Sequence, residues 1–163
     1  RRATNLTDVR VAVGEPLPGL AGFKTTHEQA LTARRMALLP GSRDWRCINY
    51  RDVAAAALLI RHPEDAEPWV AEVLGELAGS GEDHDRLRET LRVYLESGEN
   101  ATRAAGRLYV HRNTVNYRVA RALDLLGVPL ESHRLDVALA LSYHQVAIGD
   151  EVSLTTGTLG ADE

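Results

Sequence analysis

The stretch that decides the fold is Asn100–Arg121, "NATRAAGRLYVHRNTVNYRVAR". It holds five arginines, Arg103, Arg107, Arg112, Arg118 and Arg121, and no acid, in a chain whose formal charge is −4. Two short helical segments joined by a turn of about three residues make a helix-turn-helix. Asn100 is placed to cap the first segment, "ATRAAGRL". The second is predicted over Asn113–Leu126, with Gly127 as its stop. Ala105 is small where the two helices must cross closely, and Val110 is an apolar turn residue that can plug the gap between them. Val115 and Val119, one helical turn apart, join Ala122 and Leu126 in a single apolar stripe.

At roughly 100° per residue, the face opposite that stripe holds Asn113, Thr114, Tyr117 and Arg121. Arg112, Asn116 and Arg118 stand on its shoulders, and Ala120 leaves room. Asn can bridge adenine and Arg can bridge guanine in a major groove, while Thr and Tyr hydroxyls hold phosphate. An acid on this face would meet phosphates, which accounts for the exclusion of Asp and Glu. Arginine is the usual base in this chain, since all but one of the 19 Lys and Arg residues are Arg. Arginine richness is therefore partly background, and the missing acids are the sharper signal. The expected partner is double-stranded DNA.

Outward from this segment the pattern stays helical. Leu87, Leu91, Tyr94 and Leu95 mark one face of a preceding helix that Gly98 ends, and its Arg86, Arg88 and Arg92 are expected outside. A last helix, capped by Ser132, carries Leu135, Leu139, Tyr143 and Val146 inward. Towards the N-terminus, "VRVAVG" (Val9–Gly14) and "WRCINY" (Trp45–Tyr50) read as strands, with Cys47 as a buried, inert thiol. Between them, after a Gly/Pro-rich loop, a helix is expected from Thr26 as N-cap with Gln29 three residues on, ended by Pro40-Gly41. Asp52 is expected to cap "VAAAALLI", and "RHPEDAEP" to break the chain. Pro68 then opens a helix with Val70, Val73, Leu74 and Leu77 on one face. "AGSGEDHD" (Ala78–Asp85) reads as a linker, and Trp45 and Trp69 as core residues of the N-terminal half.

The residues "LRETLRVYLESGENATRAAGRLYVHRNTVNYRVARALDLLGVPL", with "HRNTVNYR" at their centre and "RLDVALAL" after them, resemble the C-terminal helix-turn-helix of the PucR/CdaR family of bacterial transcriptional regulators. The likeness spans about Asp85–Val146, and the helix pair is also similar to the DNA-binding end of Fis-type proteins. The resemblance implies that Arg112 and Asn116 read bases, and Asn113 beside them is expected to read bases as well. It places Thr114, Tyr117, Arg118 and Arg121 at phosphate-facing or edge positions, and Arg103 against the backbone. His111 either contacts a phosphate or packs at the helix start. Tyr109 departs from the glycine of many such turns, which would loosen this one, and Ala120 replaces a frequent Arg. Residues 9–50 are similar to the closing part of a GGDEF-like domain.

The expected fold is mainly α: a C-terminal helix-turn-helix bundle with a small truncated α/β segment at the N-terminus. Residues 1–80 would be the end of a GGDEF-like domain plus a connecting helix, 81–148 the DNA-binding domain, and 149–163 a disordered tail. One unit reads only a half-site, so a homodimer or higher oligomer is expected. Any effector would bind a domain outside this chain.

Other classes find little support. The six histidines show no ligand spacing with one another or with Cys47, so no metal site is expected. No nucleophile elbow, Walker pattern or dinucleotide glycine motif occurs, so neither enzyme activity nor a cofactor is expected. No apolar run approaches the roughly 18 residues of a membrane span, and the N-terminus lacks a signal pattern and an initiator Met. The chain is therefore expected to be a cytoplasmic piece of a longer protein. Two alternatives stay open: a protein-interaction or signalling module without direct DNA binding, and a fragment of a nucleotide-cyclase-like signalling protein.

Overall fold

The computed structural model describes residues 9–42 and 45–148. The fold is mainly α, with two short strands near the N-terminus. The tail expected over 149–163 lies outside the described residues.

Strand β1 (Val11–Val13) pairs in parallel with β2 (Cys47–Asn49), in the register Val11 to Cys47 and Val13 to Asn49. Parallel neighbours need a crossover, and helix α1 (Gly19–Met36) supplies it. This helix begins seven residues before the expected Thr26. The recognised pair Thr26 and Gln29 fastens the incoming chain instead of capping. Thr26 Oγ1 donates to the Glu15 carbonyl at 2.6 Å, and Gln29 Oε1 accepts the Glu15 N–H at 2.8 Å. Cys47 is exposed, contrary to its expected burial, because it points away from Ile48, the one buried residue of β2.

Helix α2 (Tyr50–Leu59) starts ahead of its expected cap, and Asp52 accepts a hydrogen bond from the Asn49 side chain at 2.9 Å. Helix α3 (Pro63–Leu74) begins five residues before Pro68, inside the segment read as a break. Pro63 fits the first turn, where its missing N–H costs nothing, and Glu64 and Asp65 favour the positive end of the helix dipole. Pro68 lies within the helix on an exposed face. A small core of Ala33, Met36, Ile48, Val53 and Ala56, with Trp45 against it, joins α1, β2 and α2.

After a 3-10 turn (Gly75–Ala78), α4 spans Glu82–Glu96, α5 Ala101–Leu108, α6 Arg112–Leu125 and α7 Leu130–Ala147. One continuous apolar core runs from Val70, Val73 and Leu74 of α3 through Leu91, Val115 and Val119 to Val137 and Tyr143 of α7, and Trp69 packs against it. The stretch read as a linker is anchored at both ends, with Ala78 against this core and Asp85 buried, while residues 80–83 are exposed. Arg88 is only 4% exposed, not outside as expected. Its guanidinium donates to the Leu77 and Gly79 carbonyls, each at 2.7 Å, and pairs with buried Asp85. Arg92 is half-buried, and Arg86 is exposed beside Glu82 and Asp83.

Helix α7 starts two residues before Ser132 and is interrupted at His133, whose backbone is non-helical. Its buried face is Val137, Ala140, Leu141, Tyr143, His144 and Val146. Leu135, expected inside, is 70% exposed. All four counted residues lie beyond His133; the buried face is centred on Val137, Ala140, Leu141 and His144, which leaves Leu135 on the far side of the helix from Val137.

Candidate nucleic-acid interface

Helices α5 and α6 form the helix-turn-helix. Asn100 Oδ1 accepts the Arg103 N–H at 2.9 Å, so the expected cap is made. Ala104 and Ala105 are buried at the crossing with α6. The turn keeps the left-handed residue that glycine usually supplies. Tyr109 has φ 55° and ψ 38°, and the N–H groups of Tyr109 and Val110 both reach the Ala105 carbonyl. The turn is therefore closed, not loosened, and the departure from glycine is met by strain. Val110 is half-buried against the core, as a plug should be.

Helix α6 opens at Arg112, with His111 as its cap: His111 Nδ1 accepts the Asn113 N–H at 3.2 Å. A neutral imidazole that accepts at Nδ1 carries its proton on Nε2. The ring therefore seals the helix start and turns a donor outward. Both readings of His111 share this geometry, since the capping ring is also exposed. Val115, Val119 and Ala122 are buried and Leu126 is half-buried, which fixes the rotation of α6 about its axis.

That rotation exposes Arg112, Asn113, Asn116, Tyr117, Ala120 and Arg121, with Thr114 and Arg118 half-buried on one shoulder. Among the described residues no carboxylate pairs with Arg112 or Arg118. Arg121 has Asp124 at 4.0 Å, with both side chains open to solvent, where such a pair contributes little. Arg103 is exposed and donates through Nη1 to the Ser97 carbonyl at 3.2 Å, which holds it beside the start of α5.

Arg107 is drawn elsewhere. Its Nη2 pairs with Glu96 Oε2 at 2.6 Å, while Glu96 Oε1 accepts from Arg92 at 2.5 Å and Arg92 also grips Glu89. Burial disfavours the Arg92 charge, but Glu89 and Glu96 outweigh it, so its pKa stands above the ordinary value. The i, i+4 spacing of Arg92 and Glu96 was visible in the sequence, whereas the link from Glu96 to Arg107, eleven residues on, needs the fold.

The fold and this face define a helix-turn-helix protein whose second helix carries a polar surface free of acid through its first three turns. Residues 87–143, from α4 into α7, match the PucR C-terminal helix-turn-helix domain. The chain belongs to the PucR-type helix-turn-helix family. It is 38% identical over 79 residues to the purine catabolism regulatory protein of Bacillus subtilis (strain 168), covering 48% of this chain and 15% of that one. It is 36% identical over 76 residues to the transcriptional activator PmfR of Paenarthrobacter nicotinovorans, covering 47% and 16%. An uncharacterized protein in the pkwA 5' region of Thermomonospora curvata is 36% identical over 133 residues, 80% of this chain and 71% of its own length. The first two relatives are thus far longer than the matched region. Among the described residues no helix is long and apolar enough to cross a membrane.

Proposed function

We propose that this chain is a sequence-specific DNA-reading output module, with α6 entering the major groove and carrying no enzymatic activity of its own. The observation that carries the reading is the outer face of α6. It is exposed, polar and free of acid through its first three turns, and Arg112 and Arg118 are not neutralised by any described carboxylate. Arg112, Asn113 and Asn116 read base edges from the N-terminal half of α6. Arg103, Thr114 and Arg118 hold phosphates, with Tyr117 and Arg121 at the edges. The Nε2 of His111 donates to a phosphate beside the helix start, where the dipole of α6 also favours an anion.

One such unit covers a half-site of a few base pairs, so selective binding takes two copies on a repeated site. The β1–α1–β2 unit supports reading residues 1–80 as the end of a GGDEF-like domain with its connecting helix, followed by the DNA-binding domain over 81–148. By its place next to the bundle it transmits a signal from an effector domain outside this chain.

Selection from random-sequence duplex at two salt concentrations tests the reading, with the Arg112→Ala, Asn116→Ala double variant alongside. The wild type is expected to select a sequence and to weaken as salt rises, and the double variant to keep only non-specific binding. Absence of salt-sensitive DNA binding at high protein concentration would favour a protein-interaction module.

A further inference from the structure

Apart from the α6 face, an open cleft of about 880 Å³ lies between the N-terminal unit and the helix-turn-helix. It is lined from β2, α2, α4, α5 and α7, and by no residue of α6. Its size is that of a small-molecule site, a few hundred to about a thousand Å³. Its apolar wall is Trp45, Ile48, Leu95, Leu135 and Ala138. Leu135 is the informative member, a large apolar side chain that is 70% exposed and projects from α7 into the cleft beside charged groups.

The charged groups on the wall are Arg92, Arg107 and Arg134 against Asp52 and Glu96. Glu96 is satisfied by two guanidinium groups, Arg92 at 2.5 Å and Arg107 at 2.6 Å. Arg92 in turn engages all three of its nitrogens on Glu89 and Glu96. Asp52 accepts from Asn49. The donors left over are on Arg107, which uses only Nη2, and on Arg134, which uses only Nε, on Glu99 at 2.9 Å. An apolar wall beside unspent guanidinium N–H groups suits a small organic anion with an apolar body.

We propose that this cleft binds an aromatic or medium-chain carboxylate or sulfonate, its anionic head on Arg107 and Arg134 and its body against Trp45, Leu95 and Leu135. The assignment is independent of the DNA-binding reading. An anion on Arg107 competes with Glu96 for the same guanidinium, and Arg107 belongs to α5, the first helix of the helix-turn-helix. Occupancy therefore reaches the reading unit through a charge contact already in place, and ligand and DNA would influence each other reciprocally.

The chain carries two reporters on the cleft wall, the Trp45 indole and the exposed Cys47 thiol. The probe is 8-anilinonaphthalene-1-sulfonate, followed by its fluorescence on the folded 163-residue chain and displaced by octanoate. Saturable one-to-one binding is expected, with octanoate slowing modification of Cys47 by Ellman's reagent. Arg107→Gln and Leu135→Glu should each weaken binding by about tenfold, the loss of one charged hydrogen bond or one apolar contact. Leu20→Glu, at an 87% exposed site on α1 outside the cleft, should leave it unchanged. Circular dichroism melts of the variants confirm that each is folded. Binding that is unaffected by Leu135→Glu and Arg107→Gln in folded variants, or that leaves Cys47 equally reactive, would overturn the proposal. So would the absence of saturable binding.

Discussion

Gly75 and Gly127 meet backbone to backbone, joining the end of α3 to the exit from α6. A Cβ on Gly75, whose φ is +55°, would stand 2.6 Å from the Gly127 nitrogen, and one on Gly127 would collide with the Glu72 carbonyl oxygen. The Gly127 N–H donates to the Val73 carbonyl at 3.2 Å. Helix α6 is thereby pinned at its C-terminal end to a helix from the other half of the chain. Gly127→Ala is expected to destabilise the protein by about 2–3 kcal/mol, the range of overpacking against an unyielding backbone. Gly106→Ala provides the opposite sign. Gly106 lies inside α5 with nothing near its would-be Cβ, so alanine should stabilise by about 0.5–1 kcal/mol. Urea denaturation of both variants checks the pair.

The buried Arg88 sets a second test. It joins Asp85 on α4 to the Leu77 and Gly79 carbonyls on the segment before it. Arg88→Met removes the partner of a buried carboxylate and should cost about 3–5 kcal/mol. Adding Asp85→Leu should recover part of it, because part of the penalty is that of a buried carboxylate that has lost its guanidinium. Chemical denaturation of the wild type, both single variants and the double variant measures the coupling. An additive double variant would show that the pair does not act as a unit.

The helix-turn-helix was legible in the sequence because its determinants are local. Asn100, Ala105, Val115 and Val119 act within a few residues, and each does what its spacing implies. Elsewhere the deciding contacts are tertiary. Thr26 and Gln29 have the spacing of a capping box, yet Glu15, from the chain before α1, takes both hydrogen bonds. Arg88 looks like any surface arginine of a charged helix until two backbone carbonyls from the preceding turn are brought against it. Leu135 shares a helical stripe with Leu139 and Tyr143, yet the neighbours of α7 cover the face of Val137, Ala140, Leu141 and His144 instead, and no count along one helix shows which face is covered. On α6 most of the exposed face was legible, although Thr114, counted on its centre, is half-buried beside Arg118. The diversion of Arg107 to Glu96 was not, since it depends on how α5 sits against α4.

Tyr109 carries strain that glycine would relieve. Its left-handed backbone costs a side-chain-bearing residue about 1–2 kcal/mol, and its ring is 94% exposed, so little packing offsets the cost. Tyr109→Gly should therefore raise stability, by about 0.5–1 kcal/mol once the greater freedom of glycine in the unfolded chain is subtracted. A thermal melt that falls instead would mean that the Tyr109 side chain holds the turn by contacts stronger than its exposure suggests.

His111 caps α6, where its Nδ1 accepts the Asn113 N–H, and in the proposed DNA complex its Nε2 would donate to a phosphate; one substitution separates the two roles. His111→Ala loses both roles. Stability should fall by about 1 kcal/mol, as for other N-cap truncations, and DNA binding should weaken. Aspartate is among the preferred N-caps, and its charge suits the positive end of the helix dipole, so His111→Asp should equal or exceed the wild type in stability. The same carboxylate would face a phosphate, so its DNA affinity should fall below that of His111→Ala. Thermal melts and DNA titrations of the two variants at one fixed salt concentration give the comparison. If His111→Asp restores stability and DNA affinity together, the outward nitrogen contributes nothing to the DNA face and His111 serves only as a cap.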